Sequence, residues 1–116
     1  MERCIFCEIN DGKIPSENKI YETENFFSIL DINQDVKGHA LVISKKHFSN
    51  ILELPVSLGR ELLDCIKGTS LKIMKDYQAT GFNTINNNFD SAGQLIKHFH
   101  LHIFPRKEDD GLKIIT

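Results

Sequence analysis

The nine residues HFHLHIFPR, positions 98–106, constrain the fold of this chain more than any other stretch. His98, His100 and His102 alternate with Phe99, Leu101 and Ile103. A period of two belongs to a β-strand, whose side chains point to opposite faces in turn. The three imidazoles therefore share one face, with neighbours about 6.6 Å apart along the strand. The three apolar side chains share the other face and call for a covering layer. Three unpaired imidazoles are costly to bury, so their face is expected to be an open site or a liganded one.

The rest of the chain supplies partners for such a strand. Residues 19–23 (KIYET) and 26–30 (FFSIL) read as a hairpin turning at Glu24-Asn25. HALVIS, 39–44, reads as a buried strand. FNTINN, 82–87, alternates well enough for another, and residues 96–104 form the last, ended by Pro105. From Ser57 to Tyr77 the apolar residues Leu58, Leu62, Ile66, Ile73 and Met74 recur at helical spacing. Gly59 and Gly68 lie inside that helix, each costing about 1 kcal/mol relative to Ala. Gly68 then marks close packing against another element, which could belong to a second subunit. A shorter helix over Ile51–Leu54 is expected to be capped by Ser49 and stopped by Pro55. CIFCEIN, 4–10, could form a helical turn, and Asp11-Gly12, Ile14-Pro15 and Lys37-Gly38 mark turns. The expected fold is α+β: an antiparallel sheet of about five strands, with one long helix and a short helix packed on it.

One domain spanning 1–116 accounts for this, since 41% hydrophobic and 26% charged residues are ordinary globular usage. A net charge of −2 gives no electrostatic footprint for nucleic acid or an anionic membrane. The N-terminus, MERCIFCEIN, lacks the apolar run of a signal peptide, and no window approaches a membrane span. The protein is expected to be soluble and cytoplasmic. Three cysteines, an odd count, argue against a disulfide framework.

Three alternating histidines admit three readings: a solvated strand face, a metal site, or catalysis by one imidazole with the others holding anionic oxygens. The surroundings favour the third. The loop Asn87–Gln94, with Gly93 before Gln94, can present backbone N–H groups and an amide to a phosphate. A neutral imidazole attacks phosphorus, and flanking donors hold the oxygens that gain charge. Cys4 and Cys7 pose a separate question. Their spacing suits two thiolates on one zinc, a redox pair, or two small buried hydrophobes.

HFHLHIF resembles the His-X-His-X-His-X-X signature, X being apolar, of the histidine triad (HIT) family. CIFCEINDGKIPS, ILDINQDVKGHALVISKKH and INNNFDSAGQ resemble the family's other blocks in the same order, so the resemblance runs from Cys4 to Arg106. It is closest to short bacterial-type members of the Hint branch. The resemblance implies a nucleotide-binding hydrolase or transferase. It would cleave at the α-phosphate of purine nucleoside phosphoramidates or related conjugates through a covalent nucleotidyl-histidine. By the same resemblance His100 is the nucleophile, His102, Gln94 and the amides around Gly93 hold phosphate oxygens, and Asn87 and His39 support them. Asp31 would accept from the ribose hydroxyls, and Ile5, Phe6, Ile9, Ile32 and Leu41 would wall the base pocket. A structural zinc would be held by Cys4, Cys7, His47 and His98, and the protein would be a homodimer. Leu95 departs from the pattern, because many Hint-branch members carry Ser or Thr there to assist the departing amine. The Trp-containing ending of some members is absent as well. A nucleotide-binding regulatory module with little turnover is therefore the alternative. A zinc hydrolase with the triad itself as ligands is a more distant one.

Overall fold

The computed structural model describes residues 4–12, 19–31 and 36–113. Five strands form one antiparallel sheet: β1 (Lys19–Glu22), β2 (Phe26–Leu30), β3 (Ala40–Ser44), β4 (Gly81–Ile85) and β5 (His100–Arg106). Their order is β1-β2-β3-β5-β4. The histidine strand is thus flanked on both sides. Leu41 and Ile43 of β3 pair with His102 and His100, while Ile85 of β4 also pairs with His102.

A long helix α2 (Gly59–Asp76) covers one face of the sheet, and a six-residue helix α1 (Ile5–Asn10) lies on the other. The period-two pattern sorts the residues between them. Phe26, Ala40, Val42, Phe99 and Ile103 pack under α2 with Cys65 and Ile73. Phe27, Ile29, Leu41 and Ile43 pack with Phe6 of α1. Phe26, Phe27 and Phe99 are almost fully buried. Each contributes about 1.5–3 kcal/mol of hydrophobic stabilisation. Leu58, Leu62 and Ile66 border the first cluster as the helical spacing implies, and Cys65 is a core residue. Thr69 completes the helix face, its Oγ1 lying 2.7 Å from both the Cys65 carbonyl and Ser28 Oγ.

Several boundaries differ from the sequence reading. β5 begins at His100 rather than at residue 96 and runs through Pro105 to Arg106. Pairing with β3 ends at Ile103, so only β4 flanks Pro105 and its missing N–H is tolerated there. β4 begins at Gly81 and ends at Ile85, leaving Asn86 and Asn87 in the loop. Asn50, not Ser49, caps the turn at Ile51–Glu53, its side chain accepting from the Leu52 N–H. Gly59 opens α2 instead of interrupting it, because a separate short turn occupies Val56–Leu58. The Lys37-Gly38 turn is present: Gly38 has φ +90°, and a Cβ there would meet the Tyr77 ring at 2.8 Å. The expected turn at Ile14-Pro15 lies outside the described residues.

Gly68 does mark a close approach, and the neighbour is β1 of the same chain. A Cβ at Gly68 would stand 2.4 Å from the Tyr21 ring, whose hydroxyl donates to Asp64. Gly68→Ala should therefore lower stability by about 1–3 kcal/mol, although the same change in an open helix gains roughly 1 kcal/mol. Urea unfolding checks this, and a stabilised variant contradicts the packing described.

Candidate functional site

The site lies on the α1 face of the sheet, where β2, β3 and β5 stand side by side. Asp31 follows β2 and His39 precedes β3, joined by the Asp31 N–H donating to the His39 carbonyl at 2.9 Å. Both positions continue the alternation of Ile29 and Leu41, so their side chains join His100 and His102 on one face. His39 Nδ1 lies 3.4 Å from Asp31 Oδ2, and His39 Nε2 lies 2.9 Å from His102 Nδ1. The His39 ring stacks on Phe104 at 4.1 Å between centroids. The His100 and His102 rings meet edge to face at 5.1 Å.

Part of this face is covered, while His102 stays half-buried at its edge. His98 is fully buried and His100 nearly so, with Phe6 of α1 packed against both rings at 5.6 and 5.1 Å. Backbone carbonyls satisfy the buried imidazoles. His100 Nδ1 lies 2.7 Å from the His98 carbonyl, which only accepts, so Nδ1 carries the proton and Nε2 keeps its lone pair. His98 Nε2 lies 2.7 Å from the Ser44 carbonyl, which leaves the lone pair on Nδ1. Burial pushes the His98 and His102 pKa values down to about 4 and lowers that of His100, so all three rings are neutral at pH 7.

The Nδ1 of His98 is aimed at a cluster. Cys4 Sγ, Cys7 Sγ and His47 Nδ1 lie 3.2, 3.5 and 3.1 Å from it, and Cys7 Sγ is 3.3 Å from His47 Nδ1. All four donor atoms lie within 4.8 Å of one another. A tetrahedral zinc would space its sulfur and nitrogen ligands about 3.3–3.8 Å apart, so the donor set fits one. Burial and the adjacent Cys4 push the Cys7 thiol up to about 11, and a cation at the centre would offset both. The Ser44 carbonyl is the outer partner that fixes the ligand tautomer of His98.

The other expected residues fall in different places. Phe6 and Leu41 are buried and Ile9 half-buried beside the histidine row, whereas Ile5 is exposed at its edge. Ile32 lies outside the described residues. Gly93 ends a short turn at Asp90–Ala92 with φ +87°. The Gln94 amide is turned into the protein, accepting from the Phe89 N–H and donating to the Ser49 carbonyl. Asn87 makes no side-chain hydrogen bond among the described residues. Its neighbour Asn86 donates to the His100 carbonyl at 2.9 Å and accepts from Asn88. Asn86, Ser44 and Phe104 were missed by sequence reasoning. A run of three asparagines does not say which one faces the strand, and a backbone carbonyl carries no residue signature.

The HIT domain family model matches residues 12–109. The chain is 43% identical to protein hit of Bacillus subtilis over 105 residues, covering 90% of this chain and 72% of that one. It is 38% identical to an adenosine 5′-monophosphoramidase of Schizosaccharomyces pombe, covering 96% and 80%. It is 39% identical to an adenylylsulfatase of Arabidopsis thaliana, covering 94% of this chain and 55% of that one. A crystal structure of a HIT family member from B. subtilis superposes with a TM-score of 0.89 at 40% identity, covering 99% and 82%. A zinc-bound histidine triad family protein from Mycobacterium smegmatis gives 0.87 at 34% identity, covering 96% and 80%. The row of histidines thus belongs to a histidine triad domain, and the chain is a member of the HIT family.

The depressed histidines make stability pH-dependent with a definite sign. Below about 6.5 the unfolded chain binds protons that folded His98 and His102 refuse until pH 4. For the metal-free protein, these two groups should give stability that is flat above pH 6.5 and declines between pH 6.5 and 4. Urea midpoints across this range check the sign.

Proposed function

We propose that this protein hydrolyses or transfers nucleoside monophosphates, cleaving at the α-phosphate of purine nucleoside phosphoramidates or related conjugates. The observation that carries the reading is the His100 tautomer. Its Nδ1–H is spent on the His98 carbonyl, and the neutral ring presents an Nε2 lone pair beside His102. That lone pair attacks the α-phosphorus and a phosphorus–nitrogen bond forms, while the bond to the leaving group breaks and the amine departs with a proton taken from solvent. Water then attacks the same phosphorus and gives up a proton to solvent, and the phosphorus–nitrogen bond breaks with its electron pair returning to Nε2. His102 holds an α-phosphate oxygen, helped by amides near Gly93, while Gln94 and Asn86 keep the loop and strand in place. Asp31 accepts from the ribose hydroxyls, and Phe6, Ile9 and Leu41 face the base. The adenosine monophosphoramidase and adenylylsulfatase among the relatives support this substrate class.

Cys4, Cys7, His47 and His98 would hold a structural zinc, which would tie α1 to the histidine strand and leave His100 free. A homodimer is part of the same proposal: Leu63 and Leu71 stand exposed on the outer side of α2, along a cleft that also includes Gly68. One observation favours the binding module as the second reading. Leu95, where a hydroxyl would assist the departing amine, is 91% exposed and offers no proton.

His100→Ala should reduce turnover of adenosine 5′-phosphoramidate by at least roughly 10³-fold. Wild-type activity in that variant contradicts the mechanism. Tight binding of adenosine monophosphate by the native protein, with no turnover of any conjugate, favours the second reading. Removal of bound zinc should lower the melting temperature of the native protein, and His47→Ala should bind less metal.

A further inference from the structure

The proposed mechanism leaves one arrangement unused: the line of Asp31, His39 and His102. We propose that Asp31 is a positioning residue for the chemistry as well as a ribose acceptor, acting through His39 to keep a proton on the phosphate-facing nitrogen of His102. This deepens the reading above and rests on it.

The inference follows from which atoms can donate. His39 Nδ1 lies 3.4 Å from Asp31 Oδ2, and because a carboxylate only accepts, this contact favours the tautomer with the hydrogen on Nδ1. Neutral His39 then presents a lone pair on Nε2, and His102 Nδ1, 2.9 Å away, must donate to it. In that state His102 Nε2 is bare and cannot hold an anionic oxygen. Uptake of one proton changes this. Whether the charge sits on His39 or on His102, the proton they share lies between Nε2 of one and Nδ1 of the other. In both cases His102 Nε2 bears a hydrogen. The carboxylate at the far end stabilises the positive charge of the pair without approaching the phosphate.

Burial, His100 and a charged His39 each oppose proton uptake at His102. His100 lies beside it on β5, burial disfavours the charged form, and Ile85 on β4 supplies no charge. Asp31 is the group that favours it. The Phe104 ring under His39 holds the relay flat. Arrival of an anionic substrate then draws the proton in, and substrate binding and protonation reinforce each other.

The ribose contact and the relay separate in a substrate-by-variant comparison. Wild type and Asp31→Asn are assayed on adenosine 5′-phosphoramidate and on its 2′,3′-dideoxy analogue. The amide brings no negative charge, and because it can donate as well as accept it no longer fixes the His39 tautomer. Asp31→Asn should lower kcat about 10- to 100-fold on both substrates. It should also move the alkaline limb of the kcat profile to lower pH, because the cationic pair is less stable. A variant equal to wild type on the dideoxy analogue means Asp31 acts through the ribose alone, which overturns the inference. Imidazole nitrogen NMR of the wild-type protein supplies a readout independent of turnover. His39 and His102 should each show a protonated Nδ1 above neutral pH, and Asp31→Asn should move the His39 proton. A protonated Nε2 and bare Nδ1 on wild-type His39 would overturn the relay. If no nucleotidyl-His100 forms in wild type, the enzymatic reading fails, and the NMR result decides the relay by itself.

Discussion

The Ser44 carbonyl holding His98 Nε2 at 2.7 Å is the contact on which the rest of the site depends. It buries an imidazole without charge and turns the free nitrogen toward Cys4, Cys7 and His47. It also fixes the segment whose next carbonyl receives the Nδ1–H of His100. This bond sets the tautomer of His98, and the carbonyl of His98 sets that of His100, two rings with different tasks. Had His98 turned over, its proton would face the sulfurs and the cluster could not accept a metal.

The two helices divide the labour. α2 supplies most of the covering core and touches the unremarkable face of every strand. α1 is only six residues long, below the length at which a helix is stable in water. Its place is secured by Phe6, which reaches both His98 and His100, and by the two cysteines at the cluster. The short helix is therefore both roof of the site and carrier of half the proposed ligand set.

Much of this was legible in the sequence, and unevenly so. The alternation in residues 98–103 specifies a strand and its two faces. The helical spacing from Leu58 to Ile73 specifies the layer above one of them. Five strands and their antiparallel arrangement follow from hairpin and run patterns. The family resemblance, not spacing, brought His47 and His98 to the Cys-x-x-Cys pair, which the fold places together. What escaped was carried by the backbone. Periodicity cannot tell that His98 precedes the paired strand, nor that carbonyls of Ser44 and His98 select tautomers. Among Asn86, Asn87 and Asn88 the sequence offers three identical amides, and only the loop's path chooses Asn86 for the His100 carbonyl. The side chain of Gln94 likewise follows the loop, inward to Ser49.

β5 is clamped between β3 and β4, and its two faces have incompatible chemistry. A single inserted or deleted residue within it would thrust histidines beneath α2 and Leu101 or Ile103 toward the site. A change of length is accommodated in the connecting loops, such as residues 86–97, and not within the strand. The strand tolerates substitution at its rim but no change of frame.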